Sequence, residues 1–169
     1  MKSVTEGFEA VENNICIDLP KNARNHKKLD HEKYLGLGFD VWAIQSLHVI
    51  RVLLHGGNFS VATLIGYSSN GLRYFLAFLA GGAVESPPAT PNNLTKRHLE
   101  RFVSWLKLKY PNGSTAKNYY TSFKSLVIVM ADYGFVEGNL DDLLPPNPFP
   151  NNAQVTKDAD PLTIGEMQR

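Results

Sequence analysis

The sequence predicts a mainly α protein: a small helical bundle, preceded by an N-terminal extension in which a short strand is expected. Three observations predict it. Apolar residues recur at steps of three and four through most of residues 59–134, the period of a helix face. Gly, Pro, Asn and Ser clusters cut that stretch into pieces of helix length. Strand-like patterning is confined to short runs before residue 45. With 169 residues and 43% hydrophobic content, the chain suits one domain with extensions and has enough apolar side chains for a core.

Residues 1–58 read as the extension. ICIDLP is a candidate strand ended by Pro20. Residues 21–33 are polar and carry Arg24, His26, Lys27, Lys28 and His31. They read as a solvated segment or a basic arm, with Asp30 and Glu32 interrupting the positive run. His26 and His31 have no neighbours that would complete a metal-ligand set. In GLGFDVWAIQSL, alternation over residues 39–44 points to a strand, and HVIRVLLHGG to a short helix stopped by Gly56 and Gly57, although periodicity leaves strand and helix open here. Trp42 is expected to anchor the core, and His48 and His55, seven apart, to share a helix face in a structural role.

Residues 59–80 predict a helix capped by Ser60 and ended by Gly81 and Gly82, with Leu64, Leu72, Phe75, Leu76 and Leu79 inward. SSNG at 68–71 interrupts it and predicts a kink or a break into two segments. SPPATPNN at 86–93 is a loop.

Two amphipathic helices follow, joined by PNG. In the first, Leu99, Phe102, Val103, Leu106 and Tyr110 face inward, Thr95 is the expected N-cap, Trp105 belongs to the core flank, and His98 is an ordinary surface residue. In the second, Tyr119, Phe123, Leu126, Val127, Met130 and Tyr133 form the apolar side. Ser114 or Thr115 is the expected N-cap, and Gly134 takes the left-handed position that ends the helix. Opposite lies a polar row, Ser114, Lys117, Asn118, Thr121, Lys124 and Ser125, with no acid in it. A solvated face usually mixes signs.

The formal net charge is only +1, so bulk charge identifies no partner. Its distribution does more. Residues 90–134 carry seven Lys/Arg against two Asp/Glu, residues 135–169 carry two against six, and residues 1–89 carry eight against eight. The positive excess is confined to the two helices and their approaches, the local footprint that a nucleic-acid backbone rewards. The single cysteine, Cys16, excludes an internal disulfide and fits a reducing compartment. There is no signal-peptide pattern and no run of about 20 apolar residues, so a cytoplasmic location is expected. No Gly-rich phosphate loop, metal-ligand spacing or nucleophile motif stands out, so neither a catalytic residue nor a metal or cofactor is expected.

After Gly134, residues 139–144 suggest one helical turn, and residues 145–160, with Pro145, Pro146, Pro148 and Pro150, an extended linker. In PLTIGEMQR, Thr163 and Glu166 form a capping box. That helix is announced and not completed, so more of a larger protein is expected beyond Arg169.

This order of signals resembles the N-terminal half of tyrosine recombinases, the phage-integrase family. The resemblance rests on LRYFLAFLA at 72–80, LTKRHLERFVSWL at 94–106, STAKNYYTSFKSL at 114–126, YGFVEGN at 133–139 and PLTIGEM at 161–167. It covers residues 59–169, and its specificity lies in the order and spacing of the pieces. The chain departs from the family pattern at two points. Thr63 and Tyr67 are one residue out of step with Leu72 and Phe75, which an insertion or kink at 68–71 explains, and the usual Asn-Pro is Asn139-Leu140. FDVWAI is similar to a Trp-containing strand found before the first helix in longer integrases.

The resemblance implies a SAM-like core-binding domain over residues 59–144 that grips one face of a recombination-site duplex, with residues 161–169 opening a catalytic domain. The strand-cleaving Arg, Lys, His and Tyr belong to that later domain, so this stretch by itself is expected to have no enzymatic activity. The implied partners are double-stranded DNA, the chain's own catalytic domain and neighbouring protomers in a tetramer on DNA. On the residues, Lys117 and Lys124 would contact phosphates and Asn118 and Thr121 base edges, with Ser114 and Thr115 near a phosphate at the helix N-terminus. Arg97 and Arg101 would add contacts from the neighbouring helix. Neutralising three to five phosphates predicts a salt slope of about −3 to −5. Two alternatives stand beside this reading: a helical protein-interaction module and a stand-alone helix-turn-helix regulator.

Overall fold

A computed structural model describes residues 15–20, 28–146 and 148–149. The expected capping box at Thr163 and Glu166, most of the linker, the catalytic-domain start and His26 lie outside the described residues. Strands β1 (Cys16–Asp18) and β2 (Lys28–Asp30) form a small antiparallel pair with Ile17 opposite Leu29. Among the described residues six α-helices follow: α1 (Asp40–Gly56), α2 (Val61–Gly66), α3 (Arg73–Ala80), α4 (Lys96–Lys109), α5 (Gly113–Asp132) and α6 (Leu140–Leu143). The protein is mainly helical, as its periodicity predicts. Among the described residues no helix is long and apolar enough to cross a membrane.

The strand expected over residues 39–44 is the first part of α1 instead. Its alternation is a by-product of a helix buried on a wide face: Trp42, Ala43, Ser46, Leu47, Val49 and Ile50 are all buried. Phe39 precedes α1, and Gly57 at φ 73° ends it in the left-handed region that glycine tolerates. Helix α1 is part of the same core as α2–α5, so residue 58 does not separate two cores. The β-hairpin joins that core through Ile17 and Leu29, and Arg51 of α1 donates to the Cys16 carbonyl at 3.1 Å.

The expected interruption at 68–71 is a π-helical turn, Tyr67–Leu72, set between α2 and α3. The Arg73 N–H reaches back five residues to the Ser68 carbonyl. A π-turn holds one residue more per ring than an α-turn, so it shifts the register of everything after it by one position. Ser60 caps this rod, its Oγ accepting from the Thr63 N–H at 3.1 Å.

Phe75 occupies the centre of the core. Its ring stacks on Phe123 with centroids 4.1 Å apart, meets Phe102 edge-on at 5.1 Å, and touches Trp42 at 5.1 Å. These rings come from α3, α5, α4 and α1, so one aromatic cluster ties four helices. The Trp42 indole donates its polar N–H to the Pro88 carbonyl at 2.8 Å, which binds the 86–93 loop to the core.

Candidate nucleic-acid interface

Helix α5 carries the polar row predicted from sequence. Its N-cap is Asn112, not Ser114 or Thr115: the Asn112 Oδ1 accepts from the Ser114 and Thr115 N–H groups at 3.0 and 3.4 Å. Two of the free donors at this helix end are therefore already satisfied, which weakens it as an anion site. The far end closes on Gly134 at φ 84°, with Phe135 N–H bonded to the Met130 carbonyl and Gly134 N–H to that of Ala131, a Schellman arrangement. The buried side is Ala116, Tyr120, Phe123, Leu126, Val127 and Met130. Tyr120 takes the inward place expected of Tyr119. Tyr119 is half-buried and stacks on Tyr74 at 3.7 Å, and Tyr133 is exposed. Burial pushes the Tyr120 hydroxyl up to about 12, and it has no hydrogen-bond partner among the described residues.

Ser114, Lys117, Asn118 and Thr121 are exposed, and Lys124 and Ser125 half-buried. At 3.6 residues per turn the six fall within about 120° of the helix circumference. Thr121 and Ser125 line a groove of about 400 Å³ against α2 and the π-turn, where Thr63 and Asn70 face them. This groove is uncharged and rich in hydrogen-bonding groups, with Lys117 and Lys124 on the same helix. Sequence reasoning missed Thr63 and Asn70. Asn70 sits inside the SSNG interruption, and only the fold shows that the interruption lies against α5.

Arg97 and Arg101 do not join that groove. They line concavities on α4 that share no lining residue with it. The Lys107 ammonium lies over the Phe149 ring at 5.1 Å and that of Lys109 over Trp105 at 4.8 Å. Lys96, Arg97, Arg101, Lys117 and Lys124 have no ion pair or ring contact among the described residues.

Two histidines read as surface groups have structural roles. His98 completes a capping box with Thr95: its Nδ1 accepts the Thr95 N–H at 3.0 Å, while its Nε2 donates to the Ser86 carbonyl at 2.9 Å. His31 is fully buried. Its Nδ1 donates to the Ala43 carbonyl at 2.8 Å, and its Nε2 accepts from the Ser68 hydroxyl at 2.8 Å, which ties the hairpin to α1 and the π-turn. Burial lowers its pKa to about 4, so the ring is neutral near pH 7. Among the described residues no group of three or more His, Cys, Asp or Glu could hold a metal ion.

Compared with protein-family models, with curated proteins and with solved structures, the chain gives no significant match in any of the three.

Proposed function

We propose that this chain is the DNA-gripping helical domain of a site-specific tyrosine recombinase. The observation that carries the reading is the α5 row: Ser114, Lys117, Asn118, Thr121, Lys124 and Ser125 share one face with no acid, and neither lysine has an ion pair among the described residues. Lys117 and Lys124, along one edge of the row, neutralise phosphates, and Asn118 and Thr121, with Asn70 across the groove from Thr121, supply hydrogen bonds to base edges. An Asn amide pairs bidentately with adenine, which makes Asn118 and Asn70 the sequence-reading residues of this proposal. In the proposed whole protein, cleavage chemistry sits on a following catalytic domain, and neighbouring protomers complete a tetramer on DNA. One helical face grips weakly alone and gains affinity through that second domain.

Binding to a random-sequence duplex, followed by fluorescence anisotropy across a salt series, tests it. Two phosphate-contacting lysines give a slope of about −2, and Lys117→Ala/Lys124→Ala removes nearly all of it. A slope near −4 means that Arg97 and Arg101 also reach phosphates. No binding at low salt, with helicity intact by circular dichroism, would discard the DNA reading in favour of a protein-interaction module.

A further inference from the structure

We propose that the outer face of α4 is a docking groove for a protein partner, and that it takes an acidic peptide segment carrying a leucine-like side chain. Two adjoining concavities meet there and share Ala83, Arg97 and Arg101. One, of about 630 Å³, lies against residues 82–86. The other, of about 460 Å³, runs on to Phe78, Trp105 and Leu108. The two arginines belong to both, and the second ends on Trp105 and Leu108.

The walls are built. His98 spans from the first turn of α4 to the Ser86 carbonyl and pins residues 82–86 beside the helix. Trp105 packs on Phe78 at 5.7 Å, which fixes the apolar end. Arg97 and Arg101 are four residues apart on α4, so they stand side by side, and both are exposed. Neither has a carboxylate partner among the described residues. Two adjacent like charges repel, and an incoming carboxylate relieves that repulsion while accepting bidentate hydrogen bonds from either fork.

The chemistry favours a peptide over a nucleic acid. Glu85 lines one concavity and Glu100 the other, so a continuous phosphate backbone would meet negative charge close to the arginines. A peptide can place one or two carboxylates on the arginines and keep the rest of its charge away from those acids. Leu108 is 84% exposed, more than any other large apolar side chain among the described residues. With the half-buried Trp105 beside it, it offers apolar contact that a sugar-phosphate backbone cannot use. An amphipathic acidic segment satisfies the arginines and this apolar end at once.

The test uses the full chain and a fluorescein-labelled short peptide of alternating Glu, Asp and Leu, with a relative in which Ser replaces every Leu. The leucine peptide is expected to bind and to perturb Trp105 fluorescence. Arg97→Ala/Arg101→Ala should weaken it about tenfold or more, the loss expected from removing charge-assisted hydrogen bonds. Leu108→Ser, at a position too exposed to disturb the fold, and the Ser-substituted peptide should each weaken binding about tenfold. Lys117→Ala/Lys124→Ala should leave peptide binding unchanged. The proposal is overturned by any of three results: no binding to the wild type at millimolar peptide, equal affinity for the Ser-substituted peptide, or equal affinity of the double arginine variant. It is also overturned if that variant loses duplex DNA affinity as severely as the lysine variant, since the groove would then belong to a DNA surface.

Discussion

Gly71 of the π-turn packs directly on the backbone of Phe123 in α5: a methyl group built at Gly71 would fall 2.8 Å from the Phe123 nitrogen and 2.9 Å from the Ser122 carbonyl carbon. Both neighbours are main chain, so no side chain can swing aside. Gly71→Ala is expected to cost about 2–3 kcal/mol through overpacking. Gly66 is also in the rod, but open space surrounds it and its φ is −60°. Gly66→Ala should therefore stabilise by about 0.5–1 kcal/mol through helix propensity. Urea midpoints that move in opposite directions for the two variants would bear this out; parallel shifts would contradict it.

His31 links stability to pH. Its folded pKa of about 4 lies below the ordinary 6.5 because burial opposes the charged ring. The unfolded chain therefore takes up a proton at a higher pH than the folded one. The stabilisation is fully present above about pH 6.5 and is lost as pH falls towards 4, by about 3 kcal/mol. Asp30 and Lys33 act on the ring in opposite directions and more weakly. His31→Gln should be less stable at pH 7 yet lack this part of the acid slope. Denaturation curves for both proteins at pH 7 and pH 4.5 decide it, and identical pH slopes would remove His31 from the account.

Asn112, rather than Ser114 or Thr115, holds the start of α5. Asn112→Ala should lower stability by about 1 kcal/mol, whereas Ser114→Ala and Thr115→Ala should stay within about 0.5 kcal/mol. Thermal melts of the three variants provide the comparison. An equal loss in Ser114→Ala would return the cap to the position first expected from sequence.

Features set by neighbours along the chain were legible. Thr95, Ser60 and Gly134 mark helix ends in sequence and in structure, because capping depends on residues within one turn. The break at 68–71 was legible for the same reason, though its π geometry was not. Features set by distant packing were hidden. Residues 39–44 alternate like a strand, and only a core on several sides of α1 explains them. Tyr119 and Tyr120 are adjacent, and period counting fixes a helix face only to about one residue, so the stack on Tyr74 decided which turned inward. His31 sits among Lys28, Asp30, Glu32 and Lys33 and reads as solvated, and its partners lie 12 and 37 residues away. At the candidate interface the α5 row was legible from its spacing. Its junction with Asn70 and Thr63, and the separation of Arg97 and Arg101 from it, depended on how the helices pack.

The π-turn has a consequence for kinship as well as for shape. Residues 61–80 hold one residue more than a straight α-helix would need to join the same packing sites at Leu64 and Phe75. A cousin chain without that residue could keep both contacts and differ from this one by a single gap. An ungapped alignment of such a pair would credit one half of the rod and score the other half as unrelated.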